Sequence, residues 1–298
     1  MTIYEEQTRL LVRVLPEVAK EECFALKGGT AINLFYRNLP RVSIDIDLTY
    51  IDFDDRNTAI SNIEDAMDRI CININKIGIN AIIKGTDSKK IYCSDNFITI
   101  KIEPNYTIRG YAYEPELMRI CETAEEKFGF AKINVVSKQE LYGGKICAAL
   151  DRQHPRDLFD VKELLDNKEL TEDIIKGFIV LLLGAGRPLH EMLNPNILEQ
   201  NEVFTNEFQG MTDKEFSYDC HVKTLKALIE IVNTNVKSDY KDFLLDFVRL
   251  QHNFSDIDIP NLDKLPAIMW KVRNLEKLRD TKKSKFDEQY AKLVECLK

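Results

Sequence analysis

The segment that most constrains the fold is RVSIDIDLTYI, residues 41–51, in which polar and apolar side chains alternate. Such alternation is typical of a strand with one buried face, because successive side chains of a strand point to opposite sides of the sheet. Ile46 and Leu48 would share the buried face, and Asp45 and Asp47 would share the other. Two carboxylates on one face repel each other unless a positive group or ion lies close to both.

Composition limits the class of protein. The chain has 298 residues, 44% of them apolar, which is enough for one large or two modest domains. Seven scattered cysteines without a C-x-x-C pair, and four histidines without ligand spacing, argue against a disulfide framework and a zinc site. The sequence has no apolar run of about 18 residues and no signal-peptide pattern, so we expect a protein of the reducing cytoplasm with no membrane partner.

The formal net charge of −8 argues against attraction of nucleic acid to the whole surface. Local groups of basic residues can still contact phosphates. The densest is the stretch 271–285, whose simplest interpretation is a solvated helix face with ion pairs between successive turns. A second group is formed by Lys84, Lys89 and Lys90.

Two regimes of patterning follow one another along the chain. Up to about residue 105, helical and strand patterns alternate. Helical periods cover 4–21, 30–37 and 57–78. Strand patterns cover 23–26, 41–51, 80–84, 90–94 and 97–103. Later patterns are helical except at 131–136, with helices expected over 138–150, from Pro155, and near 171–183, 219–234, 237–252 and 262–297. We therefore expect an α/β (α+β) fold, with a core of mixed sheet and helices over residues 1–136 and a mostly helical domain over residues 137–298.

A pair of glycines marks a possible ligand site. Gly28, Gly29 and Thr30 fall between a short strand and a helix, where glycines let the backbone approach a ligand and the next amides point towards it. The segment matches neither G-x-x-x-x-G-K-[ST] nor G-x-G-x-x-G. Taken alone, two glycines at this place are more often just a turn.

The acid pair that follows this helix favours a functional interpretation. A strand ending in two carboxylates on one face, beside exposed amides, suits metal-dependent nucleotidyl transfer, because divalent ions bridge carboxylates and a triphosphate. Mg²⁺ or Mn²⁺ held by Asp45 and Asp47 would also relieve their repulsion. Glu103 shares a strand face with Lys101 and would supply a third metal ligand from a neighbouring strand, although an exposed Glu/Lys pair explains the pattern equally well.

Together, KGGTAINLF and PRVSIDIDL resemble the nucleotidyltransferase superfamily of the DNA polymerase β type. More narrowly, they are similar to the AbiEii family, the toxin half of type IV toxin–antitoxin and abortive-infection systems, to which the MenT toxins are related. Farther along, the family has K-x-x-A-L, a basic loop and R-D-x-x-D, and this chain supplies Lys145 with Leu150, then Arg152, then Arg156 to Asp160. The match spans roughly residues 24–165 and departs from the family at Ile44, where an acidic residue is usual.

The resemblance implies transfer of NMP from an NTP to an acceptor hydroxyl, with RNA and specifically the 3′ end of tRNA as acceptor, and action as a toxin with a cognate antitoxin. It also implies that Lys145 contacts the phosphates and that Asp157 is a functional carboxylate. The resulting assignments are catalysis for Asp45, Asp47, Lys145 and Asp157, nucleotide binding for Gly28, Gly29, Thr30, Arg41, Ser43 and Asp160, and metal binding for Asp45, Asp47 and Glu103. The helical domain is expected to bring Lys145 and RDLFD to the cleft.

Plainer interpretations of the same residues stay open. Asp160 and Arg156 form an ordinary i,i+4 helix pair, and Asp157 is an ordinary acid of a first helical turn. Arg41, which is expected in the strand on the Asp45 face with Ser43, would then merely offset the acid pair. Two other functions are also consistent with the sequence: an antibiotic-type nucleotidyltransferase with a small-molecule acceptor, and a non-catalytic module that binds a nucleotide or a partner.

Overall fold

The computed structural model describes residues 3–86 and 88–298. Over these residues the strands are β1 Phe24–Lys27, β2 Asp45–Tyr50, β3 Asn80–Lys84, β4 Lys90–Asp95, β5 Ile98–Asn105, β6 Glu116–Arg119 and β7 Lys132–Val135. They form one sheet in the order β3-β4-β5-β2-β1-β7-β6, with parallel and antiparallel neighbours. The predicted α/β class with a mixed sheet is confirmed.

The pairing at the centre of the sheet sets the positions of its polar residues. Strand β2 runs antiparallel to β1, and this register aligns Lys27 with Asp47. Strand β2 runs parallel to β5, and this register aligns Asp45 with Lys101 and Asp47 with Glu103. The end of β1 therefore lies beside the first residues of β2, where both aspartates stand.

One face of the sheet is apolar and packed against helices. Helix α1, Ile3–Val18, packs against β5, and helix α3, Arg56–Lys76, packs against β3 and β4. Ile46, Ile91 and Ile102 on this face are fully buried. The apolar half of the predicted alternation is thus confirmed, and it leaves the aspartates on the opposite face.

Between β1 and β2 the chain forms a compact helical connection. Helix α2, Gly28–Ala31, continues into a wider π-helical turn over Ile32–Tyr36. The turn is closed by the Arg37 N–H, which donates to the Ile32 carbonyl at 2.9 Å. Residues 37–44 that follow are irregular.

The contacts divide the chain into two compact units. The first comprises Met1–Ser137 and Gly210–Glu215, and the second comprises Lys138–Gln209 and Phe216–Lys298. The sequence placed the division between residues 136 and 137 and did not predict the return of the short segment Gly210–Glu215 to the first unit. The first unit also contains helix α4, Glu122–Phe128.

The segment Gly210–Glu215 holds the irregular residues 37–44 in place. The Val42 N–H donates to the Met211 carbonyl at 2.8 Å. The Thr212 hydroxyl donates to the Pro40 carbonyl at 2.7 Å. These bonds use backbone groups that a strand would give to its neighbour, which explains why β2 starts only at Asp45.

The second unit is built of helices. They are α5 Lys138–Asp151, α6 Pro155–Asp166, α7 Glu172–Leu183, α8 Leu189–Leu193, α9 Asn201–Glu207, α10 Tyr218–Asp239, α11 Lys241–Arg249, α12 Pro266–Thr281 and α13 Lys283–Cys296. A Cβ on Gly143 would collide with the Gly177 backbone, and a Cβ on Gly177 would collide with the Gln139 backbone. Helices α5 and α7 therefore touch through their backbones. Over residues 3–86 and 88–298, no helix combines the length and apolar character needed to cross a bilayer.

Several predicted boundaries differ from the structure. The break expected between the helices 219–234 and 237–252 falls inside α10, which continues to Asp239. Strand β2 was expected over 41–51, but it covers Asp45–Tyr50, so Arg41 and Ser43 precede the strand and the aspartates begin it rather than end it. The predicted helix over 262–297 is interrupted at Lys282, whose backbone leaves the helical region at φ −145° and ψ 60°. The error in β2 arises because the alternation continues through residues 41–44, although the Val42 N–H bonds to Met211 and not to a neighbouring strand. The error at Lys282 arises because the helical period continues through this residue, where the backbone does not.

Other elements carried too little signal to be predicted. Strand β6 is an edge strand that pairs with β7, and its ELMR sequence has no alternation. Helices α8 and α9 span only 5 and 7 residues, too short for a helical period to be recognised.

Candidate active site

The first glycine of the pair lies directly against the acid pair. Gly28 has a φ of +74°, a conformation that side chains rarely adopt. A Cβ at this position would collide with the Asp47 Oδ2 atom. The register of β1 and β2, which pairs Lys27 with Asp47, produces this approach. Only glycine therefore allows the corner and the Asp47 carboxylate to occupy their observed positions.

The second glycine lies against the two polar residues that precede β2. A Cβ on Gly29 would lie 2.6 Å from Arg41 Nη2 and 2.9 Å from Ser43 Oγ. The Arg41 side chain is buried, and its Nη1 donates to the Val42 carbonyl at 2.8 Å. Arg41 and Ser43 thus border the glycine corner although they lie outside the strand in which the sequence placed them.

Thr30 connects the corner to the acid pair from within the core. It is fully buried, and its hydroxyl donates to the Asp45 carbonyl and lies 3.0 Å from Ser43 Oγ. The side chain fixes the start of β2. The predicted role of Thr30 in nucleotide binding stays a prediction.

The two aspartates stand on the polar face with charged neighbours in register. Asp45 and Asp47 are both half-buried. The charges of Asp45 and Asp47 join the Glu103 carboxylate in raising the pKa of Lys101 above its usual range, although burial alone would lower it. The Lys101 ammonium is therefore a positive group that offsets the acid pair.

Glu103 lies where the sequence placed a third carboxylate, in register with Asp47. Its carboxylate forms an ion pair with Lys90 and another with Lys101, the latter at 2.6 Å. Partial burial alone would raise the pKa of Glu103, but the hydrogen bonds from Lys101 and Lys90 outweigh it and hold the pKa below its usual range. Its position beside the acid pair is confirmed, and its role as a metal ligand stays a prediction.

A second charged cluster lies within the second unit. Lys145 on α5 reaches Asp157 at 2.8 Å and Asp160 at 3.1 Å, both on α6. Arg152 Nε contacts the other Asp157 oxygen at 2.6 Å. Lys145, Asp157 and Asp160 are all buried, with at most 6% of each residue exposed. The expectation that Asp157 and Asp160 share a helix face is thus met, and both carboxylates face Lys145.

The buried network sets the charge of Asp157. Burial alone would raise its pKa, but the charges of Lys145 and Arg152 and their hydrogen bonds hold the pKa well below its usual range. Helix α6 starts with Pro155, and the His154 ring accepts from the Arg156 N–H at 3.1 Å. That Lys145 and Asp157 serve the same cleft as Asp45 and Asp47 stays a prediction.

These motifs belong to a described family. The sequence profile described as "Nucleotidyl transferase AbiEii toxin, Type IV TA system" matches residues 9–274. The chain belongs to the AbiEii family. This AbiEii protein is therefore a nucleotidyltransferase of the toxin type found in type IV toxin–antitoxin systems, as the resemblance predicted.

Solved structures support the same fold. The AbiEii protein is similar to MenT4, a nucleotidyltransferase toxin from Mycobacterium tuberculosis H37Rv, with a TM-score of 0.58 and 15% sequence identity. The superposition covers 98% of this chain and 92% of the MenT4 chain. At this identity the likeness concerns the fold, and it confirms the predicted nucleotidyltransferase architecture. No curated protein sequence matches the chain.

The acid pair of this AbiEii protein fits a divalent cation. Asp45 and Asp47 offer hard oxygen donors, the ligands that Mg²⁺ and Mn²⁺ prefer, and the missing side chain of Gly28 leaves room for the Asp47 carboxylate. Within the described residues, no three His, Cys, Asp or Glu side chains are gathered into a metal-binding group. Glu103 would have to turn from its two lysines to become a third ligand.

A cavity of about 280 Å³ opens beside Asp47. It is lined by Lys27, Asp47, Ser88, Lys90, Glu103, Pro104, Asn105 and Tyr106. Sequence reasoning assigned no role here to Lys27, Asn105 or Tyr106. The position of Lys27 is the one for which the sequence carried a signal. A strand that ends at the glycines and pairs antiparallel with the strand of the aspartates must place its last residue beside the acid pair.

The two basic groups noted in the sequence, the stretch 271–285 and the lysines at 84, 89 and 90, differ in the contacts that their side chains already make. Lys271, the first residue of the stretch 271–285, donates through Nζ to the carbonyls of Ala185 and Arg187 at 2.8 and 2.6 Å, and burial lowers its pKa to about 8. Lys89 pairs with Asp68 on α3 at 2.8 Å. Lys84 and Lys90 instead lie on the same sheet face as the aspartates, where Lys90 pairs with Glu103 and Lys84 is exposed.

Proposed function

We propose that this AbiEii nucleotidyltransferase transfers NMP from an NTP to the 3′-hydroxyl of an RNA, the 3′ end of tRNA, with release of pyrophosphate, and thereby stops translation in the cytoplasm. The observation that carries the proposal is the packing of the Gly28 corner against the Asp47 carboxylate. This packing supports a site in which the glycine corner binds a triphosphate beside a cation held by the acid pair. Family membership implies an antitoxin that opposes this activity.

Each residue of the first unit has a role in this proposal. A bound divalent ion, Mg²⁺ or Mn²⁺, supplies charge that neutralises the triphosphate and lowers the pKa of the attacking hydroxyl. Asp45 and Asp47 hold that ion, with Glu103 as the predicted third ligand. The amides of Gly28, Gly29 and Thr30 bind phosphate oxygens, and Arg41 and Ser43 complete the phosphate or ribose contacts.

The buried cluster of the second unit is assigned by resemblance to the family. Lys145 binds the phosphates as a compact cation, and Asp157 acts as the functional carboxylate that orients the Lys145 side chain. Asp160 assists in nucleotide binding through the same lysine. The ion pairs of Lys145 with both aspartates support this assignment, because they orient the ammonium before any ligand arrives.

Label transfer tests the proposal. Purified protein, total RNA and each α-³²P NTP are combined with Mg²⁺, with Mn²⁺, or with EDTA. We expect label on RNA in the presence of either metal, loss of label with EDTA, and loss with the double variant Asp45→Ala/Asp47→Ala. Asp52→Ala is the matched control, because Asp52 follows the same strand but is exposed.

Two outcomes would contradict the proposal. Label that appears only on small molecules would favour an antibiotic-type transferase. Absence of any metal-dependent transfer by the folded wild-type protein, with every NTP, would contradict the proposed reaction. Label on intact tRNA that disappears after removal of the terminal nucleotides would identify the 3′ end as the acceptor.

A further inference from the structure

Three strands beside the acid pair carry lysines on the sheet face opposite the buried isoleucines. On β4, Tyr92 is in register with Lys101 of β5 and with Ile82 of β3. Lys84 of β3 is in register with Lys90 of β4. Because side chains two residues apart share a face, these residues lie together with Asp45 and Asp47 on one surface. We call this surface the lysine face, formed by Ile82, Lys84, Lys90, Tyr92 and Lys101.

The lysine face is continuous with the acid pair. Lys101 is in register with Asp45, and each further strand adds one interstrand spacing. Three spacings separate β2 from β3, a distance of about 14 Å. That distance corresponds to a few stacked nucleotides of a single strand. A strand whose 3′ end lies at Asp45 and Asp47 can therefore extend across β5, β4 and β3.

The charge of the lysine face is suited to phosphates although the whole chain carries −8. On the outward-facing positions of the described β3, β4 and β5 strands, Glu103 is the one acidic residue, against three lysines. Glu103 pairs with Lys90 and Lys101, and Lys84 lies over the Tyr92 ring. Lys84 is exposed, and 36% and 30% of the Lys90 and Lys101 side chains are exposed. Lysines in such a position attract a polyanion locally.

An aromatic ring lies at the middle of this surface. Tyr92 is partly exposed, and the Lys84 ammonium lies 4.8 Å from its ring centroid. Ile82 beside it is 45% exposed. Proteins bind single strands by stacking bases on aromatic rings and by neutralising phosphates with nearby cations. The Lys84 ammonium can move to a phosphate while a base takes its place on the ring.

We infer that the lysine face binds the single-stranded 3′ segment of the RNA acceptor, with a base on Tyr92 and phosphates on Lys84 and Lys90. The inference rests on the proposed function, which identifies RNA as the acceptor. An acidic protein would also be attracted by the lysines. RNA is favoured because the surface combines an aromatic ring with cations and leads directly to the acid pair.

Equilibrium binding tests the inference without NTP or metal. The probe is a short 5′-fluorescein single-stranded RNA, and its anisotropy is followed against protein concentration at several salt concentrations. We expect Tyr92→Ala to weaken binding about tenfold and Tyr92→Phe to retain it. We expect Lys84→Met to weaken binding and to lower the slope of log K against log salt by about 0.7.

Two controls match these variants. Lys132→Met removes an exposed lysine from the far end of the same sheet, and Phe97→Ala removes a fully exposed ring from the β4–β5 turn. Neither change should alter RNA binding. Circular dichroism checks that each variant is folded. Because Lys84 is exposed, Lys84→Met should fold normally, so it tests the inference even if Tyr92→Ala is unstable.

Steady-state transfer separates this inference from the proposed reaction. We expect Lys84→Met and Tyr92→Ala to raise the KM for RNA about tenfold while the KM for NTP is unchanged. Unchanged RNA binding and KM in both variants, with active wild-type protein, would overturn the inference alone. A raised KM for NTP with an unchanged KM for RNA would show that the lysine face binds the NTP, and this result would also overturn the inference. RNA binding that depends on Lys84 in a protein without transferase activity would overturn only the reaction.

Discussion

At the scale of single residues, the site depends on the lack of a side chain at Gly28 as much as on its charged groups. The corner at Gly28 can approach Asp47 because it has no Cβ. The sequence shows that residue 28 is a glycine, but it does not show why a glycine is required there. The collision with the Asp47 carboxylate follows from the register of β1 and β2, and register is a property of the folded sheet.

We predict that Gly28→Ala loses transfer activity about 100-fold, because a displaced carboxylate no longer holds the reacting groups in place. The positive φ adds about 1–2 kcal/mol of destabilisation. Gly78→Ala is the control, since Gly78 also has a positive φ of +81° but a Cβ there would have no neighbouring atom within 4 Å. Both variants should lose similar stability in urea denaturation, and only Gly28→Ala should lose activity. Equal loss of activity would show that the Asp47 contact is irrelevant.

We predict that Asp157→Asn destabilises the protein by about 3 kcal/mol near neutral pH, because it leaves the buried Lys145 charge poorly compensated. The pKa of Asp157 is lowered from its usual 3.8, so its stabilisation is present above about pH 4 and is lost as the pH falls further. The difference in unfolding free energy between wild type and variant should therefore shrink below that pH.

Urea denaturation across a pH series measures this difference. Asp166→Asn is the matched control on the same helix, since Asp166 forms a surface pair with Lys162. It should change stability by about 0.5 kcal/mol or less. A gap between Asp157→Asn and wild type that widens as the pH falls would contradict the prediction.

At the scale of elements, most of the first unit could be predicted because its strands and helices have clear periods. Strands β3, β4 and β5 and helix α3 lie within a few residues of their predicted ranges. Alternation along β5 was enough to put Glu103 on the polar face, and the register with Asp47 confirms its position. Its pairing with Lys90 could not be predicted, because it depends on where the β4–β5 hairpin turns.

The pairing of α5 with α7 shows a second limit of periodicity. Neither glycine in that crossing disturbs the helical pattern, so no pattern in the sequence indicated that two backbones meet there. The buried triad of Lys145, Asp157 and Asp160 depends on the placement of α5 and α6. Sequence spacing put the two carboxylates on one face of α6, but it did not show that Lys145 faces them.

We predict that Gly143→Ala destabilises the protein by about 3 kcal/mol, since the added methyl would collide with the backbone of α7 at Gly177. Gly144→Ala is the neighbouring control, because its nearest atom would be Leu181 Cγ at 3.9 Å. That variant should gain about 0.5–1 kcal/mol from helix propensity. Urea midpoints decide the comparison, and similar midpoints for the two variants would exclude a backbone contact as the cause.

At the scale of the whole molecule, the seven cysteines are all free. Burial raises the pKa of Cys23 and of Cys93 to about 12 and also raises that of Cys147. Thiols in this state are protonated near neutral pH and react slowly. The scattered spacing in the sequence also argues against a disulfide framework.

We predict that dithiothreitol leaves the urea midpoint of the protein unchanged. We also predict that a thiol reagent such as DTNB at about pH 8 modifies fewer than seven cysteines quickly in the native state and all seven after denaturation. A midpoint that falls on reduction would reveal a disulfide in solution. Rapid modification of all seven in the native protein would contradict the burial of Cys93.

The bonds of Met211 and Thr212 to residues 40–42 have a consequence for how the toxin is made. While a ribosome is still synthesising the protein, the carbonyl of Met211 and the hydroxyl of Thr212 do not yet exist to hold the segment that carries Arg41 and Ser43. A nascent chain can therefore form the sheet long before it completes the border of the glycine corner. That border is complete only after residues 211 and 212 have been synthesised and have folded back onto residues 40–42.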